Sequence, residues 1–433
     1  MNILIIGNGG RENCLAWKIH GSPFVNKIYA IPGNPGIQKI GSCHESGVSK
    51  SSFPEIKDFV LNNNIDFTIV GPEAPLVDGI VDYFKSYGLK IFGPDMNSAR
   101  IEGSKVFTKN LCARYKIPTA DSAVFLKSEY QDSRKYINGR GKDDFPIVLK
   151  VDGLAAGKGV IICNEKNEAL SVLDEIMLKN LFGASADRII IEEFIQGYEV
   201  SLLNFCDGRK IVPLVPAQDY KKIFDNDEGK NTGGMGSYSP VSFVGENLLK
   251  KMLDKIIYPT YEALKNEKIT YRGILYGGII VRDDEPLLLE YNCRFGDPET
   301  QVILPRLNED LPEILISCSE GSLTDKPLSW DESKCVCVVL ASGGYPESSS
   351  KGDLIEGVEE EFGQNGVLIF HAGTKLENGN IYTNGGRVLN IVSKASEFKK
   401  ARENIYRRIS GIKFNGMQYR KDIALKVEED SNV

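Results

Sequence analysis

Short apolar runs separated by glycine-rich turns dominate the first hundred residues. ILII at 3–6, KIYAI at 27–31, DFTIV at 66–70 and LKIF at 89–92 are each bounded by Gly, Pro or Asn, the signature of buried strands. Helical segments intervene, so the pattern predicts a small parallel α/β unit over 1–103. Ligands of open α/β sheets sit at the carboxyl ends of the strands, and here those ends carry GNGGRE at 7–12, NPG at 34–36 and GPEAP at 71–75.

From Ser104 the pattern changes. KVFTKNLCARY at 105–115 reads as a basic amphipathic helix, and PIVLKVDGLAAGKGVIIC at 146–163 reads as strand, small-residue loop, strand. A helix is expected over about 165–180, then a strand, a short EEF link at 192–194 and a further strand. DYKKIFDNDEGKNTGGMGSYSP at 219–240 reads as a long loop before a helix over about 246–265. TYRGILYGGIIV and EPLLLEYNC form a hairpin turning at Asp283 and Asp284, and PETQVILPRL continues as a helix. From about residue 327 further strands and the helix EFKKARENIYRRI suggest a third, α+β unit. The expected units are therefore 1–103, 104–326 and 327–433.

Composition narrows the function classes. Among 433 residues, 52 Lys and Arg against 59 Asp and Glu give a net charge of −7, which does not favour nucleic-acid binding. No apolar run approaches the ~20 residues of a membrane span, and MNILIIGNGG lacks the features of a signal peptide, so a cytoplasmic protein is expected. Nine cysteines without paired spacing read as reduced core thiols, and three histidines make a triad or a multi-histidine metal site improbable.

Candidate chemistry concentrates at strand ends. Glu290 and Asn292, two apart at the end of an apolar strand, point the same way and could share a hard cation such as Mg²⁺ beside phosphates. The loop with Gly153, Gly157, Lys158 and Gly159, entered from Lys150, can cover a triphosphate with backbone N–H groups, although it is not a Walker A loop. Glu192, Glu193 and Phe194 lie where backbone groups could meet a purine edge, and Glu199 could hold ribose hydroxyls. GNGGR is not a dinucleotide fingerprint, yet Gly9, Gly10 and Arg11 at a helix start suit an anion.

Nine motifs fall in one order: GNGGRE, GPEAPL, EGSK at 102–105, KVDGLAAGKGV, EEF, NTGGMG at 231–236, EYNCRFGDPETQ at 290–301, ASGGYP at 341–346 and HAGT with TNGGRV at 371–388. Together they resemble the phosphoribosylamine–glycine ligase family of the ATP-grasp superfamily, over essentially the whole chain. The resemblance implies a pre-ATP-grasp α/β domain, an ATP-grasp domain with a mobile lid at about 121–192, and a C-terminal α+β domain. It also implies ligation of glycine to 5-phosphoribosylamine through glycyl phosphate, with ATP consumed in de novo purine synthesis.

Carried onto this chain, the resemblance makes Glu290 and Asn292 the ligands of Mg²⁺, with Mn²⁺ as an alternative ion. Lys105 and Lys150 become phosphate contacts, Glu192–Phe194 the adenine link and Glu199 the ribose acceptor. Arg294 and Asp297, with Lys150, become the catalytic set beside glycine. Gly9, Gly10, Arg11, Asn34, Gly36, Asp219 and Arg387 fall on the substrate side. Small-molecule partners only, with no nucleic acid or membrane, and a monomer or weak dimer are expected. The family commonly carries histidine where this chain has Asn13 and Tyr220, and a carboxylate often found on the strand before Glu-x-Asn is missing from GILYGGIIV, so the metal would recruit water, phosphates, Asp297 or Glu299.

Overall fold

The computed structural model describes residues 1–155, 159–179, 181–358 and 366–430. Its N-terminal sheet is parallel and five-stranded, in the order Ser42–Cys43, Lys27–Pro32, Asn2–Gly7, Phe67–Val70, Ile91–Phe92. Ile3 and Ile5 pack with Leu15 and Ile19 on one face, whereas Leu4 and Ile6 pack with Ile56 and Val60 on the other. Both faces are covered, which is why these strands read as unbroken apolar runs. The Ser42–Cys43 strand is too short to leave a sequence signal.

The central sheet is antiparallel, ordered Ile211–Pro213, Tyr198–Asp207, Arg272–Arg282, Glu285–Asn292. Its last two strands form the expected hairpin, with Asp283 and Asp284 at φ 53° and 61°, the paired left-handed residues of a tight hairpin turn. A separate four-stranded sheet, Ser122–Leu126, Arg188–Glu193, Ile147–Val151, Val160–Cys163, is covered by the helices Tyr130–Asn138 and Lys166–Met177. Its core of Leu149, Val151, Ile189, Leu173 and Ile176 is its own. By contrast, one continuous core joins Leu4 and Ile6 of the N-terminal sheet to Leu202, Leu288 and Tyr291 of the central sheet. Among the described residues no helix is long and apolar enough to cross a membrane.

Four sequence expectations need correction. The long loop at 219–240 is instead threaded with strands: Lys222–Phe224 pairs with Glu228–Asn231, and Gln218–Asp219 and Gly236–Ser239 join the sheet of Lys334–Ala341, Arg387–Ala395 and Val367–His371. Its pairing partner, Lys334–Ala341, lies about a hundred residues away, so local pattern could not show it. The EEF link is shorter than expected, because the strand runs on through Glu193. PETQVILPRL gives only the turn Thr300–Ile303 and a tight turn Leu304–Arg306, since Pro305 supplies no N–H to continue the helix. The helix at 246–266 contains a wider turn, Leu253–Ile257, just before Pro259, which accommodates the missing donor.

Candidate functional site

The strand Glu285–Asn292 does not alternate regularly. Glu290 lies opposite Gly278 and Leu288 opposite Ile279, so Leu289 is an extra residue in the ladder. Strict alternation would put Glu290 on the face of Leu288, inside the core. The bulge moves it: Leu288 and Tyr291 face the core, and Glu290 and Asn292 share the open face. Gly278 makes room, since a Cβ there would meet Glu290 Cγ at 3.2 Å.

Both side chains line a cavity of about 470 Å³, a size suited to a small-molecule ligand. Burial would raise the Glu290 carboxyl, but Lys221, Lys150, Lys105 and Arg294 together hold it below the usual carboxylate range. Among the described residues, no hydrogen bond or ion pair engages that carboxylate. An ionised, unpartnered carboxylate beside an amide oxygen fits a hard divalent cation. Asp297 and Glu299 are committed elsewhere: Asp297 to Arg387 at 3.2 Å and Gln301 at 2.7 Å, and Glu299 to Tyr276 at 2.5 Å and Ser201 at 3.1 Å. Among the described residues no group of three or more His, Cys, Asp or Glu could hold a metal ion.

The cations form two groups. Lys105 opens the helix Lys105–Tyr115, and Lys109 stands one turn later on the same face. Lys105 Nζ donates to the carbonyl of Gly153 at 3.0 Å, which ties the helix start to the glycine loop. Burial, aided by Lys150, pushes the Lys105 ammonium below its usual range against the pull of Glu290, Asp152 and Glu102. Lys150 pairs with Glu192 Oε1, and Lys109 Nζ lies 2.6 Å from Glu192 Oε2. The Glu192 side chain is thus a buried bridge between two lysines and does not line the cavity, and its main chain lies in the sheet between Ser122 and Val148. Beside this link, Ala120, Ile195 and Ile280 with Leu287 and Leu289 make an apolar platform.

The second group surrounds Asp219. Lys221 Nζ lies 2.5 Å from Glu199 Oε2, and both Asp219 and Lys221 line the cavity. Burial pushes the Asp219 carboxyl up to about 7, Lys221 opposing and Glu299, Glu199 and Glu290 assisting. Glu199, Asp219 and Glu290 in turn lift Lys221 well above its usual range despite its burial.

Arg294 Nε meets Glu73 at 3.1 Å and its Nη2 meets Glu102 at 3.2 Å, so two carboxylates from the helices Glu73–Val77 and Met96–Gly103 fix the guanidinium at the cavity wall. Arg387 donates to the carbonyls of Gly233 at 2.5 Å and Asp297 at 2.6 Å, bracing NTGG against GDPE. Burial would raise Asp297, yet Arg387 and Arg11 hold it ionised.

Of the residues expected from sequence, Arg11, Lys105, Lys150, Gly153, Gly159, Asp219, Glu290, Asn292, Arg294, Asp297 and Arg387 line this one cavity. Gly157 and Lys158 lie outside the described residues. Glu193 pairs with Ile147 at the end of its strand and Phe194 is partly exposed next to it. Gly9, Gly10, Asn34 and Gly36 are set back from the cavity. Gly9 N–H donates to Glu12 at 2.6 Å, and Arg11 pairs with Glu12 at 2.5 Å, so the helix start already holds a carboxylate. A Cβ on Gly10 would collide with Asn390 Nδ2, and one on Gly36 with Asn13 Oδ1. Asn34 Nδ2 donates to the carbonyls of Asn8, Gly9 and His371. These residues join the glycine turn to the C-terminal sheet.

Sequence reasoning missed Glu73, Lys109, Lys221 and Tyr345. Lys109 was recoverable from its four-residue spacing to Lys105, and Lys221 from its two-residue spacing to Asp219. Tyr345 comes to the cavity only through tertiary folding, where its hydroxyl accepts from Gly233 N–H at 2.9 Å.

A cavity with lysines over a hard-cation pair, an acidic pocket and an apolar platform can hold a nucleoside triphosphate beside a small zwitterion. Models of the phosphoribosylglycinamide synthetase N, ATP-grasp (A) and C domains match residues 1–102, 103–300 and 335–426. A phosphoribosylamine–glycine ligase of Caldanaerobacter subterraneus subsp. tengcongensis is 46% identical over 98% of this chain and 99% of its own. The crystal structure of a phosphoribosylamine–glycine ligase from Thermotoga maritima superposes with a TM-score of 0.83 at 32% identity, covering 98% of this chain and all of that one. The biotin carboxylase domain of Hydrogenobacter thermophilus 2-oxoglutarate carboxylase, solved with MgADP, ADP and bicarbonate, shares the fold at a TM-score of 0.71 and 14% identity, over 96% and 91% of the two chains. The three matched domains, in order along one chain, make this protein a member of the phosphoribosylglycinamide synthetase family.

Proposed function

We propose that this chain is an ATP-dependent ligase that joins glycine to 5-phosphoribosylamine, giving glycinamide ribonucleotide, ADP and phosphate in purine biosynthesis. The observation that carries the reading is the convergence of Glu290, Asn292, Lys105, Lys150, Asp219 and Arg294 on one cavity in a chain of this family. The units run 1–103, 104–326 and 327–433, with the lid at about 121–192, and the enzyme works in the cytoplasm as a monomer or weak dimer.

A carboxylate is a poor electrophile until one of its oxygens becomes a leaving group. ATP therefore transfers its γ-phosphoryl group to the glycine carboxylate, and the amine of phosphoribosylamine attacks the glycyl carbon. The C–N bond forms as the C–O bond to phosphate breaks, and the nitrogen loses a proton. Asp219 holds the glycine ammonium, and Arg294, fixed by Glu73 and Glu102, offers a rigid positive charge to the carboxylate. Lys105 and Lys150 hold the phosphates, and Glu199 takes the ribose once Lys221 releases it. The adenine lies on the Leu287, Leu289 and Ile280 platform, its edge on the Glu192–Phe194 backbone. Glu290 and Asn292 hold Mg²⁺, or Mn²⁺ in its place, and the ion supplies charge neutralisation on the phosphates. The glycine loop keeps water from the acyl phosphate. Arg11, Asp297 and Arg387 face the phosphoribosylamine, while Gly9, Gly10, Asn34 and Gly36 shape that wall.

Glycine labelled with ¹⁸O in its carboxylate tests the intermediate. One labelled oxygen is expected in the released phosphate and one in the product amide. Unlabelled phosphate would eliminate glycyl phosphate.

A further inference from the structure

Among the described residues the largest fully enclosed side chain is that of Arg420, which lies outside the cavity near the C-terminus and which the mechanism does not use. Its guanidinium is bidentate to Asp422, with Nε–Oδ1 at 2.7 Å and Nη2–Oδ2 at 2.6 Å. Nη1 adds Asp227 Oδ1 at 2.8 Å and the Lys222 carbonyl at 3.2 Å. Asp422 Oδ2 also accepts from Asn226 N–H at 2.9 Å, and Lys421 N–H donates to Asp225 at 2.7 Å. The chain around Arg420 therefore grips the whole Lys222–Asn231 hairpin. Its guanidinium also stacks 4.8 Å over the ring of Tyr220, whose hydroxyl accepts from Ala424 N–H at 3.0 Å.

Tyr220 stands between Asp219 and Lys221. Alternation sends its ring into the C-terminal core beside Tyr238, and sends Asp219 and Lys221 into the cavity. Beyond the two-residue ladder of Gln218–Asp219 with Tyr238 and Ser237, main-chain bonds hold this stretch at Tyr220 with Gly236 and Met235 and at Lys221 with Thr232, where a glycine-rich turn is the partner. We infer that Arg420 is a positioning residue: by clamping Tyr220 and the hairpin from behind, it fixes Asp219 and Lys221 in the cleft and so sets the affinity for glycine. The effect on glycine rests on the reading of Asp219 as the ammonium partner.

The test compares Arg420→Lys, Asp422→Asn, Tyr220→Leu and Tyr220→Phe with Asp219→Asn. It measures kcat, KM for glycine, KM for ATP and hydrogen exchange of a peptide covering 218–224. Arg420→Lys keeps the charge but loses the fork, so glycine KM is expected to rise at least about tenfold with ATP KM within about twofold, and exchange to quicken at Tyr220 and Lys221. Tyr220→Leu should do the same, and Tyr220→Phe, which keeps the ring, should retain a near-normal glycine KM. Asp422→Asn carries the test if Arg420→Lys does not fold. A loss of kcat or stability with unchanged glycine KM would overturn the inference, as would a raised KM with unchanged exchange. If Asp219→Asn shifts glycine KM while the Arg420 and Asp422 variants do not, the clamp alone fails. If Asp219→Asn leaves glycine KM unchanged, the reading of Asp219 fails and the claim about glycine falls with it.

Discussion

Lys109 Nζ and Glu192 Oε2 lie 2.6 Å apart, both nearly enclosed, and the other oxygen of Glu192 pairs with Lys150. Because Glu192 shares its charge between two ammonium groups, Lys150 is held less tightly than a lone buried pair would hold it, as the proposed role of Lys150 on a phosphate requires. Lys109 also donates to Thr119 at 2.8 Å and the Ala120 carbonyl at 3.0 Å, which anchors the bridge to the base platform.

Lys109→Met should therefore raise KM for ATP by about tenfold and leave KM for glycine unchanged, because Glu192 would then bind Lys150 alone. Steady-state kinetics with each substrate varied in turn checks this. Equal changes in both KM values would point to a general loss of structure.

Glu290→Gln removes charge but not shape. Turnover should fall by at least about a thousandfold. Among the described residues Glu290 has no partner to strand, so far-ultraviolet circular dichroism should be unchanged and the melting temperature should move by no more than about 2 °C. Retained activity at millimolar Mg²⁺ would contradict the metal assignment.

Much of this was legible in the sequence, for identifiable reasons. The parallel sheet showed because strands buried on both faces are continuous apolar runs, and the Asp283–Asp284 hairpin because its turn is local. Glu290 and Asn292 could be paired by alternation, although the Leu289 bulge that brings them out of the core was hidden in the run of three leucines. The strands within 218–239 were not legible, because their partner at 334–341 is remote. The bridging role of Glu192 was hidden for a similar reason: Lys109 and Lys150 come from a helix and a strand that only tertiary packing brings together.

Asp219 makes an opposite demand on stability. Burial and the carboxylates of Glu299, Glu199 and Glu290 raise it from 3.8 to about 7. Between those values the folded chain holds a proton that the unfolded chain has released, so this group's contribution to stability falls as pH rises from about 4 to 7 and its full penalty applies above 7. In metal-free, ligand-free protein, Asp219→Asn should raise the melting temperature by about 2–4 °C at pH 8 and by less at pH 5. A uniform or reversed shift would contradict the charged, crowded pocket. The same variant should lose glycine affinity.

Gly10 separates a structural from a substrate role. A Cβ there meets Asn390 and Gln301, so Gly10→Ala should destabilise the fold by about 2 kcal/mol through the contact between the glycine turn and the C-terminal sheet. Thermal melting without substrates measures it. Unchanged melting with a raised KM for phosphoribosylamine would instead place Gly10 at the ligand.

The central claim is that this cavity activates glycine for attack by phosphoribosylamine. ADP release by the purified protein with ATP, Mg²⁺ and freshly prepared phosphoribosylamine, run with and without glycine, tests it most directly. ADP release that requires glycine and matches the glycinamide ribonucleotide formed is the predicted result. ADP release indifferent to glycine, or none with all substrates present, would contradict it.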